Sequence, residues 1–288
     1  MSSRWLLLPL LFASIFSAGQ PTARFYLKKS HFVKGEPIFL YYEITNPGPE
    51  TVNVSQSSAY SFCSGFTIHV SSDRVPSDRC FDRLVLASCL SSDTSIAPNE
   101  SRTEQILLNY EHNLDSTGFY EVEASRSTKY VDAKLPYYQS TGAMVETHAM
   151  LHLEIDESAP VDPKVWDDFV TQLNSEDPII NTEAARVLAT MAPPSLENLL
   201  LTFKDKPFLK QFAPLALNRL HTERSMAALA EMLVHSNPMS GEALEELEYL
   251  EKSGDSKWLP IIREAERQQN EACHGCLENR ALFCKGNY

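Results

Sequence analysis

His148, His152 and Glu154 have the residue types and the spacing of metal ligands. Even positions along a strand point to one side, and imidazole and carboxylate ligands need that convergence. The odd positions Thr147, Ala149, Leu151, Leu153 and Ile155 are mostly apolar, so they belong against a core. The even set is then expected to be the solvated side of an edge strand, and no metal site is expected. A second cluster is Cys273-His274-Gly275-Cys276, with Cys284 close behind. Covalent haem attachment requires a histidine directly after the second cysteine, and Leu277 stands there instead. Zinc requires four ligands, and three cysteines leave that set one short. The expectation is a disulfide at the C-terminal end, formed by Cys284 with Cys273 or Cys276. No cofactor is expected.

Other segments reduce to local structure when their neighbours are considered. Gly254-Asp255-Ser256 resembles the nucleophile block of some lipolytic hydrolases, but it falls between helical stretches. There Asp255 and Ser256 are expected to cap a helix by accepting from free backbone N–H groups. The sequence contains no Gly-x-Ser-x-Gly elbow, phosphate-binding glycine loop or His-Glu-x-x-His helix. Glu242, Glu245, Glu246, Glu248 and Glu251 give one stretch a strongly acidic side. That side is expected to be a solvated face, the alternative being a docking stripe for a basic partner. Asn53-Val54-Ser55 and Asn99-Glu100-Ser101 are glycosylation sequons, meaningful only in a eukaryotic source, and are expected to be unmodified.

The compartment decides how the cysteines are read. Residues 1–19 combine Arg4, an apolar run from Trp5 to Phe16, and small residues before Gln20. That is the layout of a secretory signal peptide cleaved after Gly19, too short to span a bilayer. An extracytoplasmic destination, periplasmic or secreted, is oxidising. Cys63, Cys80, Cys89, Cys273, Cys276 and Cys284 are therefore expected to form disulfides. Three lie early and three late, so full pairing requires a bridge between the clusters, and the connectivity stays open. No later segment has the roughly 20 apolar residues of a membrane helix. The 25 Lys and Arg against 38 Asp and Glu give a net charge of -13, which repels phosphate and anionic lipid. Lys28-Lys29 is the nearest approach to a basic run, so no nucleic-acid partner is expected.

The elements that must carry these residues change period at about residue 157. Before it, Ile38, Leu40, Tyr42 and Ile44 alternate with Phe39, Tyr41 and Glu43, and Asn46-Pro47-Gly48-Pro49 stops the strand. Further strands are expected at Thr51–Val54, Phe66–Val70, Ile106–Leu108, Phe119–Ala124 and Thr147–Ile155, with loops at 71–83 and 127–143. Short strands between turn clusters predict a β-sandwich. After Asp162-Pro163, a good helix start, Val165, Trp166, Phe169, Val170 and Leu173 recur at helical spacing. More helices are expected at 181–191, 194–203, 207–220, 222–234, 240–252 and 256–268. Leu188 with Leu200 recurs as Leu217 with Leu229 and as Leu247 with Leu259, in steps of 29 and 30 residues. A helix-pair period of that size predicts an α-solenoid.

Two resemblances follow from these residues. Phe32-Val33-Lys34-Gly35-Glu36-Pro37-Ile38, with Ile44-Thr45-Asn46-Pro47, resembles the opening hairpin of bacterial extracytoplasmic immunoglobulin-like domains. Gly118-Phe119-Tyr120-Glu121-Val122 is similar to their penultimate strand, where a tyrosine marks the corner. The first hairpin also resembles that of the bacterial proteinase-inhibitor sandwich. Ala184-Ala185-Arg186-Val187-Leu188 and Ser253-Gly254-Asp255-Ser256-Lys257-Trp258-Leu259-Pro260 resemble short bacterial HEAT-like repeats of the PBS-lyase type. The expected multidomain β + α layout is a signal peptide over 1–19, an immunoglobulin-like β-sandwich over 20–157, a HEAT-like α-solenoid over 158–270 and a cysteine-containing cap over 271–288.

The expected function is an exported, non-enzymatic protein-interaction or scaffold module, because sandwiches and solenoids recur as binding surfaces. One alternative is a proteinase inhibitor acting through sandwich loop 55–65 or 71–90. Another is a hydrolase with a site between the two halves.

Overall fold

Alternation and turn chemistry in the first half produce nine strands among the described residues of the computed structural model. The structure describes residues 19–56, 65–72, 92–132 and 142–235, with isolated positions between 257 and 268. The strands are β1 (Thr22–Tyr26), β2 (His31–Val33), β3 (Phe39–Thr45), β4 (Val52–Gln56), β5 (Phe66–Ser72), β6 (Ser92–Ile96), β7 (Ser101–Leu107), β8 (Gly118–Asp132) and β9 (Ala143–Asp156). One sheet has the order β1-β3-β7; the other has the order β2-β9-β8-β4-β6, with β5 also paired to β8. The pairings are antiparallel except β2 with β9, where His31 lies beside Glu154.

The two sheets face each other across one apolar core. Ile38, Leu40, Tyr42 and Ile44 fill it from the smaller sheet; Val54, Val122, Ala124, Leu153 and Ile155 fill it from the larger. A large aliphatic or aromatic side chain buried this fully contributes about 1.5–3 kcal/mol. Tyr120 fixes the corner where β8 begins, its hydroxyl donating to the Ser116 carbonyl at 2.7 Å. Gly35 supplies the left-handed turn after β2 at φ +86°, a conformation that favours glycine.

Several sequence expectations need correction. The stretch 127–143 is not all loop: β8 runs to Asp132 and β9 starts at Ala143, giving a long hairpin. The strand expected at Ile106–Leu108 starts at Ser101 and stops at Leu107, where the one-turn helix α1 (Leu108–Glu111) takes over. Ser71 and Ser72 belong to β5. Finally, β2 pairs with β9 only at Glu154–Asp156, so among the described residues the stretch carrying His148 and His152 has a partner strand, β8, on one side only.

Among the described residues after β9 the chain is helical: α2 (Lys164–Gln172), α3 (Pro178–Met191), α4 (Glu197–Leu201), α5 (Ala213–Leu220) and α6 (Glu223–His235). Asp162 caps α2 through the Lys164 N–H at 3.0 Å, and Asp177 caps α3 through Ile179 at 2.8 Å. Thr222 and Ser225 exchange side-chain bonds at the start of α6. The helix expected over 194–203 is broken, with 3-10 turns at Pro194–Leu196 and Thr202–Asp205 on either side of α4. The one expected over 207–220 becomes α-helical only at Ala213. Leu188, Leu200, Leu217 and Leu229 are all fully buried in one helical core. Leu247 and Leu259 lie outside the described residues, as do 240–252 and most of 256–268.

Candidate functional site

The outer face of the smaller sheet carries aromatic rings where a solvated face would carry polar side chains. Tyr26 stacks on Tyr41 at 5.3 Å, and Phe39 stands 6.4 Å from Tyr41 on the same face of β3. Helix α2 supplies the opposite wall. Val165, Phe169 and Gln172 recur at four- and three-residue steps and so share one helix face. The Phe169 ring lies 6.2 Å from that of Phe39, joining the two walls. Between them runs a groove of about 490 Å³, also lined by Lys28, Lys29, Phe32, Glu36, Pro37, Gln105 and Asp168. That volume lies within the usual range of ligand clefts, about 300–1,000 Å³.

The charges on this groove are unevenly committed. Lys29 pairs with Glu36 at 2.5 Å, and Glu36 also accepts from the Val33 N–H at 3.2 Å. Lys28 instead lies over the Tyr41 ring, 4.4 Å from its centre, and is ion-paired to none of the described residues. Asp168 is exposed on the helical wall. Among the described residues the lining holds no Ser, Thr, Cys or His side chain.

The outer face of the larger sheet holds the three residues of ligand type, where a solvated face and no metal site are expected. His148, His152 and Glu154 do share one face of β9, but each is engaged by a neighbouring strand. His148 contacts Glu123 at 3.1 Å, His152 lies 3.9 Å from Glu121, and Glu154 contacts His31 at 3.1 Å. The cross-strand register separates the three into separate His–carboxylate pairs, and no cluster of three ligand-type residues occurs among the described residues. A smaller hollow of about 420 Å³ sits where β8 and β9 meet, lined by Phe119, Glu154, Asp156 and Glu157. Its carboxylates are also occupied: Ser158 donates to Asp156 and holds its carboxyl below the ordinary range, and Lys34 pairs with Glu157. The Lys34 ammonium is pushed up by that hydrogen bond.

A buried ion pair joins the two sheets from within. Arg126 on β8 donates to Glu104 on β7 at 2.8 Å, and its guanidinium lies 4.7 Å and 4.2 Å from the Tyr42 and Phe66 ring centres. Burial pushes the Glu104 carboxyl above its ordinary range, and Arg126 only partly counters it.

Of the sequons, Asn53 accepts from the Ser95 hydroxyl at 2.7 Å, and Asn99 is exposed in a left-handed turn at φ +61°. All six cysteines lie outside the described residues, as do residues 1–18, Gly254-Asp255-Ser256 and the acidic stretch from Glu242 to Glu251. The expected inhibitor loops are described only at 55–56, 65 and 71–72. The groove escaped sequence reasoning, although a signal was present: Phe39-Leu40-Tyr41-Tyr42 is apolar on both strand faces, which marks a strand covered on both sides.

No family model matches this sequence, and no curated protein matches it. Among solved structures it is similar to the CARDB domain of the PF1109 protein from Pyrococcus furiosus, solved with di-metal ions. The identity is 9% and the TM-score 0.22, over 49% of this chain and 96% of that one. It is similar to a PapD-like domain of human CEP192 at 11% identity and TM-score 0.21, over 56% of this chain and 98% of that one. A β-glucosidase from Listeria innocua, solved with glucose, matches at 10% identity and TM-score 0.22, over 48% of this chain and 16% of that one. Similarity at this level establishes no shared activity.

Proposed function

We propose that this chain is an exported, non-enzymatic interaction module that binds a protein partner in the groove between the smaller sheet and α2. The observation that carries the reading is the aromatic floor of Tyr41 and Phe39, with Tyr26 stacked on Tyr41, facing Phe169 across a charged rim. Aromatic anchors within a polar rim are the usual composition of a binding hot spot. The immunoglobulin-like reading is supported by the strand order β1-β3-β7 opposite β2-β9-β8-β4, and by the corner bond of Tyr120. The HEAT-like reading rests on the buried leucine pairs of α3 to α6, recurring at 29 residues. Export rests on the composition of residues 1–19.

A photo-crosslinking amino acid at Gln172, on the groove, is the direct test, with Thr171 on the same helix but off the groove as control. One discrete adduct formed in producing cells from position 172 alone is the expected result. Equal labelling from both positions would remove the groove as the binding surface. N-terminal sequencing of the exported product is expected to begin at Gln20; retention of residues 1–19 would remove the export reading.

A further inference from the structure

We infer that the groove recognises a peptide segment in which apolar side chains are flanked by an acidic residue on one side and a basic residue on the other. This inference rests on the groove being the partner site, and adds the chemistry of what enters it. The floor selects apolar side chains, because Phe39, Tyr41 and Phe169 offer ring faces and edges at 6.2–6.4 Å spacing. The rim selects charge. The Lys29–Glu36 pair is self-neutralising, which leaves two charges at the groove without an ion pair among the described residues. Lys28 stands on the sandwich wall above the Tyr41 ring, and Asp168 stands exposed on the helical wall.

One cation and one anion on opposite walls form a dipole, and the complementary ligand is a segment with the reverse dipole. A ligand bearing only negative charge would meet Asp168, and one bearing only positive charge would meet Lys28. Lys28-Lys29 is also the only place in the sequence where two Lys or Arg residues are adjacent, within a chain of net charge -13. The cation on the groove therefore stands out against the surrounding field.

The test uses three labelled, end-blocked tetrapeptides, Glu-Phe-Phe-Lys, Glu-Phe-Phe-Glu and Lys-Phe-Phe-Lys, titrated into the full chain by fluorescence anisotropy up to millimolar concentration. The wild type is expected to prefer the mixed-charge peptide by about two- to fivefold, the range of one well-placed exposed ion pair. Lys28→Glu is expected to shift the preference to Lys-Phe-Phe-Lys, and Asp168→Lys to Glu-Phe-Phe-Glu. Both positions are exposed, and the two opposite shifts act as mutual controls for folding. Equal affinity for all three peptides, or preferences that ignore the substitutions, would overturn the inference. A discrete adduct from position 172 together with no peptide binding would overturn it as well, while leaving the interaction reading intact.

Discussion

Glu104 and Arg126 form a buried pair whose two halves are predicted to respond very differently to mutation. The Arg126 side chain is only 2% exposed and that of Glu104 13%. Arg126 has other support, since the Tyr42 and Phe66 rings flank its guanidinium. Glu104 has a carboxyl that burial pushes up despite the arginine. A raised folded pKa means that the fold favours the neutral acid more than the unfolded chain does. Glutamine imitates that neutral form and keeps an oxygen to accept from Arg126. Glu104→Gln keeps a neutral acceptor for a guanidinium that two rings also flank, and is therefore expected to cost less than loss of the arginine. Arg126→Met strands a carboxylate in the core, and removing one partner of a buried pair costs about 3–5 kcal/mol. For a chain of this size each kcal/mol moves the midpoint by roughly 2–4 °C, so Arg126→Met should melt roughly 10 °C lower.

The pH dependence has a definite sign. The stability contributed by protonated Glu104 is fully present below the ordinary carboxylate range and is lost as pH rises through the raised folded value. Glu104→Gln should remove that part of the decline. The assay is urea unfolding at a series of pH values for wild type, both single variants and the double variant. A Glu104→Gln penalty as large as that of Arg126→Met would refute the reasoning, because the ionised pair itself would then hold the sheets together.

Three further substitutions test other parts of the argument. Tyr120→Phe removes the corner bond to Ser116 and should cost about 1 kcal/mol, read as a lower urea midpoint at unchanged slope. Asn46 is fully buried, donates to the Glu50 and Ile96 carbonyls and accepts from the Gly48 N–H. Asn46→Ala leaves those groups without it and should cost about 2–3 kcal/mol by the same assay. Asp177→Ala uncaps α3 and should cost about 1 kcal/mol in thermal unfolding, with Asp177→Asn recovering most of it.

The elements legible in the sequence were those whose apolar period matched their burial. Strand β3 is the clearest case, since Leu40, Tyr42 and Ile44, with Ile38 just before them, alternate and all are buried. Strand β6 carried no such signal: Ser92-Asp93-Thr94-Ser95-Ile96 has one apolar residue, and the strand is held by its pairing with β4. The far half of β8 was hidden because its inward positions include Arg126 and Thr128, polar residues satisfied by Glu104 and by the Tyr42 hydroxyl. A period-based reading takes such residues for a loop. Helix α3 begins before its apolar face does, because Ile179 and Ile180 are exposed and only Asp177-Pro178 announces the start. The ligand triad of His148, His152 and Glu154 was read correctly as one strand face. Its cross-strand carboxylates depend on register, which no single strand encodes.

Register and burial also explain how the groove acquires fixed walls. Helix α1 is only four residues long, yet it takes part in both cores. Leu108 is fully buried within the sandwich, whereas Tyr110 packs against the helical core, with Arg186 lying 5.7 Å from its ring centre. Leu108 donates to the Ile38 carbonyl at 2.9 Å, and the Ile38 N–H donates to the Asn109 side chain at 2.6 Å. Both backbone groups of Ile38 are thus clamped by α1, and the next residue is Phe39, the ring that meets Phe169. Asp115, seven residues beyond Leu108, pairs with Arg219 of α5 at 2.9 Å and adds a second tie. An exposed ion pair contributes little, about 0–1 kcal/mol, whereas leaving the buried Ile38 N–H unsatisfied would cost about 1–3 kcal/mol. The Asn109 clamp is therefore the stronger of the two bonds, and it holds α1 to the sandwich, whereas Asp115–Arg219 crosses to α5. The clamp sits one residue from Phe39 and so fixes the sheet wall of the groove, while Tyr110 links α1 to α3 through Arg186 and the Phe39–Phe169 ring contact joins that wall to α2.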